Sequence, residues 1–270
     1  MVLTPIIILL VETTAMAAEF IPNHEPDPDA PSGALSNLLI RGSIVEGDAE
    51  RLAQLLVSYR VRRMPVIFLL DSPGGVLKEA MRMALIIDSV FGTTRVDNSI
   101  QMDVNPVERG FLCASACFYL YVAGAVRWPA IVPSSGQIGV HRPYFGQNPS
   151  LDLKKEIQSH DAIVASARIF LEHHRVPTRL IELSFSRSST EIYWLNRNDL
   201  IDVGFMNFAI EEMAIRECKY LPQLSRQVFE NSGTRQYSVI GESITCLNNL
   251  LAPSIKEAYA RLTRGQRPWQ

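Results

Sequence analysis

A chain of 270 residues that is 47% hydrophobic has enough apolar material for one domain of ordinary size with tails. Its formal net charge of -2, with no Lys/Arg run interleaved with aromatics, argues against a nucleic-acid partner. No G-x-x-x-x-G-K-S/T stretch occurs, so the chain carries no phosphate-cradling P-loop.

The chain opens on an apolar core from Val2 to Val11, followed by Ala15-Met16-Ala17 and then Ala18. An apolar run of this length ahead of a small-x-small triplet has the plan of a secretory leader over residues 1–17, too short to span a bilayer. No Lys or Arg precedes the core and Glu12 follows it closely, so a mis-assigned start or a buried strand is the competing reading. Export to a periplasmic or secreted destination is expected, with membrane proximity if the segment is retained as a weak anchor. The alternative is a cytoplasmic or membrane-associated protein. Residues 18–36 carry Pro22, Pro26, Pro28 and Pro31 among several acids and read as a poorly ordered linker.

Asn37 to Ile44 reads as a first strand and turn. Asp48 is a candidate N-cap for a helix through Leu52, Leu55, Leu56 and Tyr59. Pro65-Val66-Ile67-Phe68-Leu69-Leu70-Asp71 has the continuous apolar pattern of a buried strand. Ser72-Pro73-Gly74-Gly75 follows and opens a helical pattern, Val76 to Val90, whose methionines fill a core. Thr93 to Val96 is extended, and residues 97–110 form a polar loop placed to border a cleft.

Phe111-Leu112-Cys113-Ala114-Ser115-Ala116-Cys117 then leads into an apolar helix, and Gly136-Gln137-Ile138-Gly139-Val140-His141-Arg142-Pro143 ends a further strand. Between them, Val126 to Trp128 and Ile131-Val132 are short extended pieces. Ser115 stands at a helix N-terminus, where aligned N–H groups favour developing negative charge. His141 stands at a strand end before a proline. A serine and a histidine so placed suit a nucleophile and its base; the bland reading is a helix-packing serine and a hydrogen-bonded strand-end histidine. The strand, Gly-Gly turn and helix upstream form a backbone nest able to receive an oxyanion. Alternating strands and helices predict an α/β sheet.

Asp71-Ser72-Pro73-Gly74-Gly75, Ala114-Ser115-Ala116 before an apolar helix, and Ile138-Gly139-Val140-His141-Arg142-Pro143 together resemble the Clp-type serine peptidases of the Clp/crotonase superfamily. That group includes the caseinolytic protease proteolytic subunit and signal peptide peptidase A. The resemblance covers roughly residues 38–212, leaving 213–270 as a C-terminal extension of unreadable role. It implies a repeated ββα superhelix, Ser115 as nucleophile, His141 as base, and oxyanion donors at Gly74 or Gly75 and at Ala116. It also implies a peptide or protein substrate, and homo-oligomerisation through the long helical pattern from Leu151 to Arg175. The family's third triad member falls here on Ile192, which cannot polarise a histidine. Glu191 is one position away and is the doubtful substitute, because neighbours on a strand point to opposite faces. Asp199 and Asp202 belong to the following helical pattern. A crotonase-like acyl-CoA enzyme and a catalytically inactive oligomeric scaffold are the rival readings. The absence of a G-x-S-x-G elbow around Ser115 argues against an α/β-hydrolase.

The four cysteines allow three pairings, which the sequence does not choose among. Export favours bonds: Cys218 with Cys246 is the first expectation, and Cys113 with Cys117 is compatible with one helix face. No paired C-x-x-C is present, and the adjacent His173 and His174 do not share a helix face, so no metal and no cofactor is expected. Glu172-His173-His174 reads as a solvated helix end. Gln223 to Val239 reads as irregular, and Ser254 to Thr263 as an amphipathic helix.

Overall fold

The apolar run before Asp71 forms β3 (Ile67–Asp71), the middle of a five-stranded sheet ordered β1-β2-β3-β4-β6. Its neighbours are β2 (Asn37–Arg41) and β4 (Thr93–Arg95), both parallel to it, and β6 (Val126–Trp128) extends the sheet in the same sense. Leu38, Leu39, Ile40, Phe68, Leu69 and Leu70 are all fully buried, as expected for parallel strands covered on both faces. Each such side chain contributes about 1.5–3 kcal/mol of burial free energy. The computed structural model describes residues 17–23, 37–59, 65–96, 110–128, 136–143, 153–188, 190–223 and 234–270. Most of the leader, most of the expected linker, most of the polar loop and the Ile131-Val132 piece fall outside those residues.

The linker reading does not hold at its start. Glu19–Asn23 is a strand, β1, paired antiparallel with β2 from Glu19↔Arg41 to Asn23↔Asn37. Pro22 is tolerated because β1 lies at the sheet edge.

A second sheet, ordered β5-β7-β8, is built from β5 (Phe111–Ala114), β7 (Gly136–Val140) and β8 (Tyr193–Trp194). β5 and β7 are parallel, and β8 runs antiparallel to β7. A repeat is visible in the connections. β4 of the large sheet is followed by β5 of the small one and then by helix α3 (Cys117–Val122). β6 and β7 are followed in the same way by α4 (Leu153–His173). β3 runs into Ser72, which bridges to Cys113 of the small sheet before α2 (Leu77–Ser89). The fold is α/β, and its ββα units hand one strand to each sheet.

Helix α1 (Asp48–Ser58) buries Ala49, Leu52, Ala53 and Leu56, one face at helical spacing. Asp48 is the first helical residue rather than the N-cap, which is Gly47 and carries no side-chain cap. The cap comes from α2 instead: the buried Glu79 carboxylate accepts from the amides of Gly47 (3.1 Å) and Ala49 (2.7 Å).

After α5 (Thr178–Ser186) and α6 (Arg197–Val203), α7 (Phe208–Cys218) and α8 (Thr234–Thr263) close the chain. The helix predicted from Ser254 is part of a longer one that runs through Pro253, so the irregular reading fails from Thr234 onward. Leu247, Leu251, Ile255, Ala258 and Leu262 of α8 join the same buried cluster as β2 and β3. Cys218 and Cys246 are bonded across α7 and α8. Arg267 pairs bidentately with Glu50 of α1 at 2.9 and 2.7 Å, tying down the tail. Among the described residues, no helix is long and apolar enough to cross a membrane.

Candidate active site

The C-terminal ends of β3, β5 and β7 meet, and the sequence-predicted residues lie on them. Asp71 closes β3. Its carboxylate pairs with Arg41 Nε at 3.1 Å and accepts from the Leu112 amide at 3.1 Å, joining the two sheets. Ser72 donates its amide to the Leu112 carbonyl and accepts from the Ala114 amide at 3.0 Å. These bonds fix the height of the Gly74-Gly75 turn relative to β5.

Both glycines are required by space and by backbone angle. Gly74 has φ +97, and a Cβ there would lie 2.6 Å from the Ala114 oxygen, 2.7 Å from the Ser115 Cβ and 2.8 Å from the Ala116 nitrogen. Gly75 has φ +144, and a Cβ there would lie 2.1 Å from the Ile44 oxygen. Gly74, Ser115 and Ala116, named separately from sequence, are therefore in direct contact. The two glycine amides are not equivalent. Gly74 N–H donates to Ser72 Oγ at 3.1 Å. Ile44 donates to the Gly74 carbonyl at 2.8 Å and accepts from Val76 at 2.9 Å. In a parallel bridge of this kind, Gly75 directs its own N–H away from Ile44.

Ser115 sits in the turn between β5 and α3 with φ 58. The other described non-glycine residues with positive φ, Phe91, Arg175 and Lys219, follow helix C-termini, where this conformation is common. At Ser115 it reverses a strand into a helix, a conformation that costs about 1–3 kcal/mol. Three constraints hold it. The Ser115 amide donates to the Gly139 carbonyl at 2.9 Å, its carbonyl accepts from Phe118 at 3.0 Å, and a disulfide joins Cys113 to Cys117 on either side. The bond links the end of β5 to the start of α3 rather than two positions on one helix.

His141 follows β7 directly, on the strand paired with β5 through Ala114↔Gly139. Its Nδ1 lies 2.8 Å from the Arg142 carbonyl oxygen. A carbonyl only accepts, so in the neutral ring this contact puts the proton on Nδ1 and the basic lone pair on Nε2. Orientation of the ring by a backbone carbonyl is a feature that sequence reading missed, since no side-chain type reports it.

Glu191 lies exposed on the turn before β8, its amide donating to Ser188 at 3.2 Å. The antiparallel register Val140↔Tyr193, continued by one step, sets Ile192 opposite His141. Ile192 and Trp194 cross over Gly139, where a Cβ would lie 2.5 Å from Ile192 Cγ2. Asp199 is structural: it accepts from Tyr193 Oη and the Asn196 amide at 2.9 Å each, contacts Arg179, and completes the capping box of α6.

Two buried cationic or titratable side chains are perturbed away from this turn, Arg127 and His174. Arg127 is buried and donates to the carbonyls of Gly124, Val203 and His174 at 3.3, 3.0 and 3.2 Å. Burial lowers its guanidinium to about 10. His174 is only 2% exposed, so the reading of a solvated helix end fails there. It packs on Phe170 at 4.4 Å between ring centroids, and among the described residues neither ring nitrogen has a hydrogen-bond partner. Burial first, then the Arg127 charge, holds its imidazole down at about 3.

No protein-family model matches the chain, and no curated protein matches it. Among solved structures it is similar to ClpP1 from Listeria monocytogenes, at 17% identity and a TM-score of 0.42 over 63% of this chain and 88% of that one. A single-site mutant of the same protein gives 19% identity and a TM-score of 0.46 over 63% and 88%. A mutant of the 1510-N membrane-bound stomatin-specific protease gives 17% identity and a TM-score of 0.43 over 66% and 82%.

Proposed function

We propose that this chain is a serine peptidase that cleaves peptide bonds through a Ser115–His141 acyl-enzyme mechanism. The observation that carries the reading is the contact of the Gly74-Gly75 turn with Ser115 and the Ala116 amide, made at a strained strand-to-helix turn. His141 Nε2 takes the Ser115 hydroxyl proton while Oγ bonds to the carbonyl carbon of the scissile peptide. The carbonyl oxygen becomes an oxyanion, received by the N–H groups of Ala116 and of the glycine turn. Gly75 is the better oriented of the two glycine donors. Each well-placed donor is worth roughly 3–4 kcal/mol of barrier. The C–N bond then breaks as His141 gives its proton to the leaving amine. Water, deprotonated by His141, attacks the acyl-enzyme and releases the acid.

The substrate is an extended peptide, and the half-exposed Ile192 and Trp194 beside Gly139 favour apolar side chains near the cut. The paired cysteines Cys113–Cys117 and Cys218–Cys246 support an exported, oxidising location.

The test is labelling by a fluorophosphonate probe of the wild type and of Ser115→Ala. Labelling lost with Ser115→Ala supports hydrolysis. A folded wild type that does not react, and that sediments as an oligomer, supports the scaffold reading, which the Ile192 register favours.

A further inference from the structure

We propose that the Ala17–Ala18 bond is a processing site, and that the α-ammonium released at Ala18 forms a buried ion pair with Asp48. Two independent observations meet at this bond. The sequence has small residues, Ala15 and Ala17, at the positions that leader-removing peptidases read. The structure buries Ala18 completely while Ala17 is exposed, and directs the Ala18 nitrogen at Asp48 Oδ2, 3.4 Å away. Residues near a chain end are ordinarily loose unless something ties them down.

The Asp48 carboxylate is built for a cation. It is fully buried; Oδ2 also accepts from the Val45 amide at 2.8 Å, and Oδ1 pairs with Arg51 Nη1 at 2.7 Å. Arg51 is its charged partner among the described residues, and that side chain is 49% exposed to water. The Arg51 guanidinium in turn lies over the Phe20 ring of β1 at 5.1 Å, covering the start of the strand. Of the other charged groups on the packed elements, Glu50 of α1 is taken by Arg267, Glu79 and Arg82 of α2 pair with each other, α2 also carries Lys78 and Asp88, and Glu19 of β1 stands opposite Arg41. Hydrolysis breaks the Ala17–Ala18 C–N bond. Water supplies the hydroxyl to the Ala17 carbonyl carbon and a proton to the nitrogen, and the amine takes up one more proton. The single amide donor becomes three donors carrying a positive charge, and charge-assisted bonds close to about 2.7–2.9 Å.

The pair reaches the glycine turn through a short relay. Asp48 Oδ2 holds the amide of Val45, next to Ile44, whose N–H and C=O bind Gly74 and Val76.

The test begins with the full chain expressed for export and the intact mass of the product. A mature chain beginning at Ala18 is expected; a start anywhere else overturns the proposal. The α-amine of that product is then acetylated across pH 6–10, in the folded state and in urea. The folded amine is expected to react at least 10-fold more slowly than in urea at pH 7.5, and to titrate about one unit or more above the ordinary range of about 7.7–8.0. Equal reactivity and ordinary titration overturn the ion pair without reference to any variant. Asp48→Asn, where it folds, returns the amine to ordinary titration; a shift that survives Asp48→Asn overturns the assignment of the partner.

Discussion

Gly74 stands so close to Ser115 that a methyl group on its Cα would lie 2.7 Å from the serine Cβ. The same methyl would meet the Ala114 oxygen and the Ala116 nitrogen, neither of which can swing aside as a flexible side chain would. Gly74→Ala is therefore expected to lower fluorophosphonate labelling roughly 100-fold and stability by about 1–3 kcal/mol. Gly47→Ala is the control. Gly47 has nearly the same φ, +95, with nothing within 4 Å of its would-be Cβ. It carries the backbone strain without the crowding, so stability falls while labelling stays within about twofold of wild type. Equal loss of labelling in both variants would reduce the effect to general destabilisation.

The two disulfides are expected to separate stability from reactivity. Loop-closure entropy favours Cys218–Cys246, with a sequence separation of 28 against 4 for Cys113–Cys117. On that basis Cys218→Ala with Cys246→Ala costs about 3.5 kcal/mol and Cys113→Ala with Cys117→Ala about 2 kcal/mol. Only the second bond spans the Ser115 turn. The smaller stability loss should carry the larger loss of labelling, read by urea unfolding and by probe kinetics below the unfolding transition.

These expectations show which parts of the molecule a sequence can carry. The buried strand before Asp71 was legible because Ile67 to Leu70 is an unbroken apolar run. The glycine turn was legible because only glycine fits both its φ values and its clearances. Ser115 and His141 stand out in the sequence because their neighbours have a recognisable order, and the structure places them just after β5 and β7. What was not legible depends on register and on backbone atoms. The position of Ile192 across from His141 follows from how β8 pairs with β7. The Arg142 carbonyl that holds the His141 ring has no side-chain signature. The trans cap of α1 by Glu79 comes from a residue 30 positions away from Ala49. His174 looked solvent-facing at the end of a polar-ended helix, but the packing of Phe170 and Arg127 encloses it.

His174 gives the fold an acid limb. In the unfolded chain its imidazole takes a proton near pH 6.5, whereas in the folded protein it stays neutral down to about 3. Between those values the unfolded state binds more protons. Stability is therefore complete above pH 6.5 and falls as pH drops toward 3, by up to about 1.4 kcal/mol per unit. His174→Phe removes the titrating group without breaking a ring hydrogen bond, because neither ring nitrogen has a partner among the described residues. Unfolding free energies from urea titrations at pH 7 and pH 4.5 should differ by roughly 2–3 kcal/mol less in the variant than in the wild type. An unchanged difference would place the acid limb on other groups.

The register of β8 on β7 puts Ile192, not a carboxylate, at the position facing His141. In a Ser-His-Asp arrangement the carboxylate fixes the imidazole tautomer and steadies the charge that forms on it. Here the tautomer is fixed by the Arg142 carbonyl, and Glu191 lies exposed on the turn before β8. Glu191→Gln is therefore expected to leave the rate of Ser115 labelling within about twofold of wild type, and its pH profile unmoved. Ile192→Asp makes the opposite test. It sets a carboxylate on β8 at the register position facing His141, in place of a side chain that is 39% exposed and so carries little core packing. Labelling at neutral pH should rise at least several-fold, and the pH at which half the rate is reached should move upward, because a neighbouring negative charge favours the protonated ring. A 10-fold loss on Glu191→Gln, with no response to Ile192→Asp, would instead assign the third role to Glu191 and require the turn before β8 to move when substrate binds.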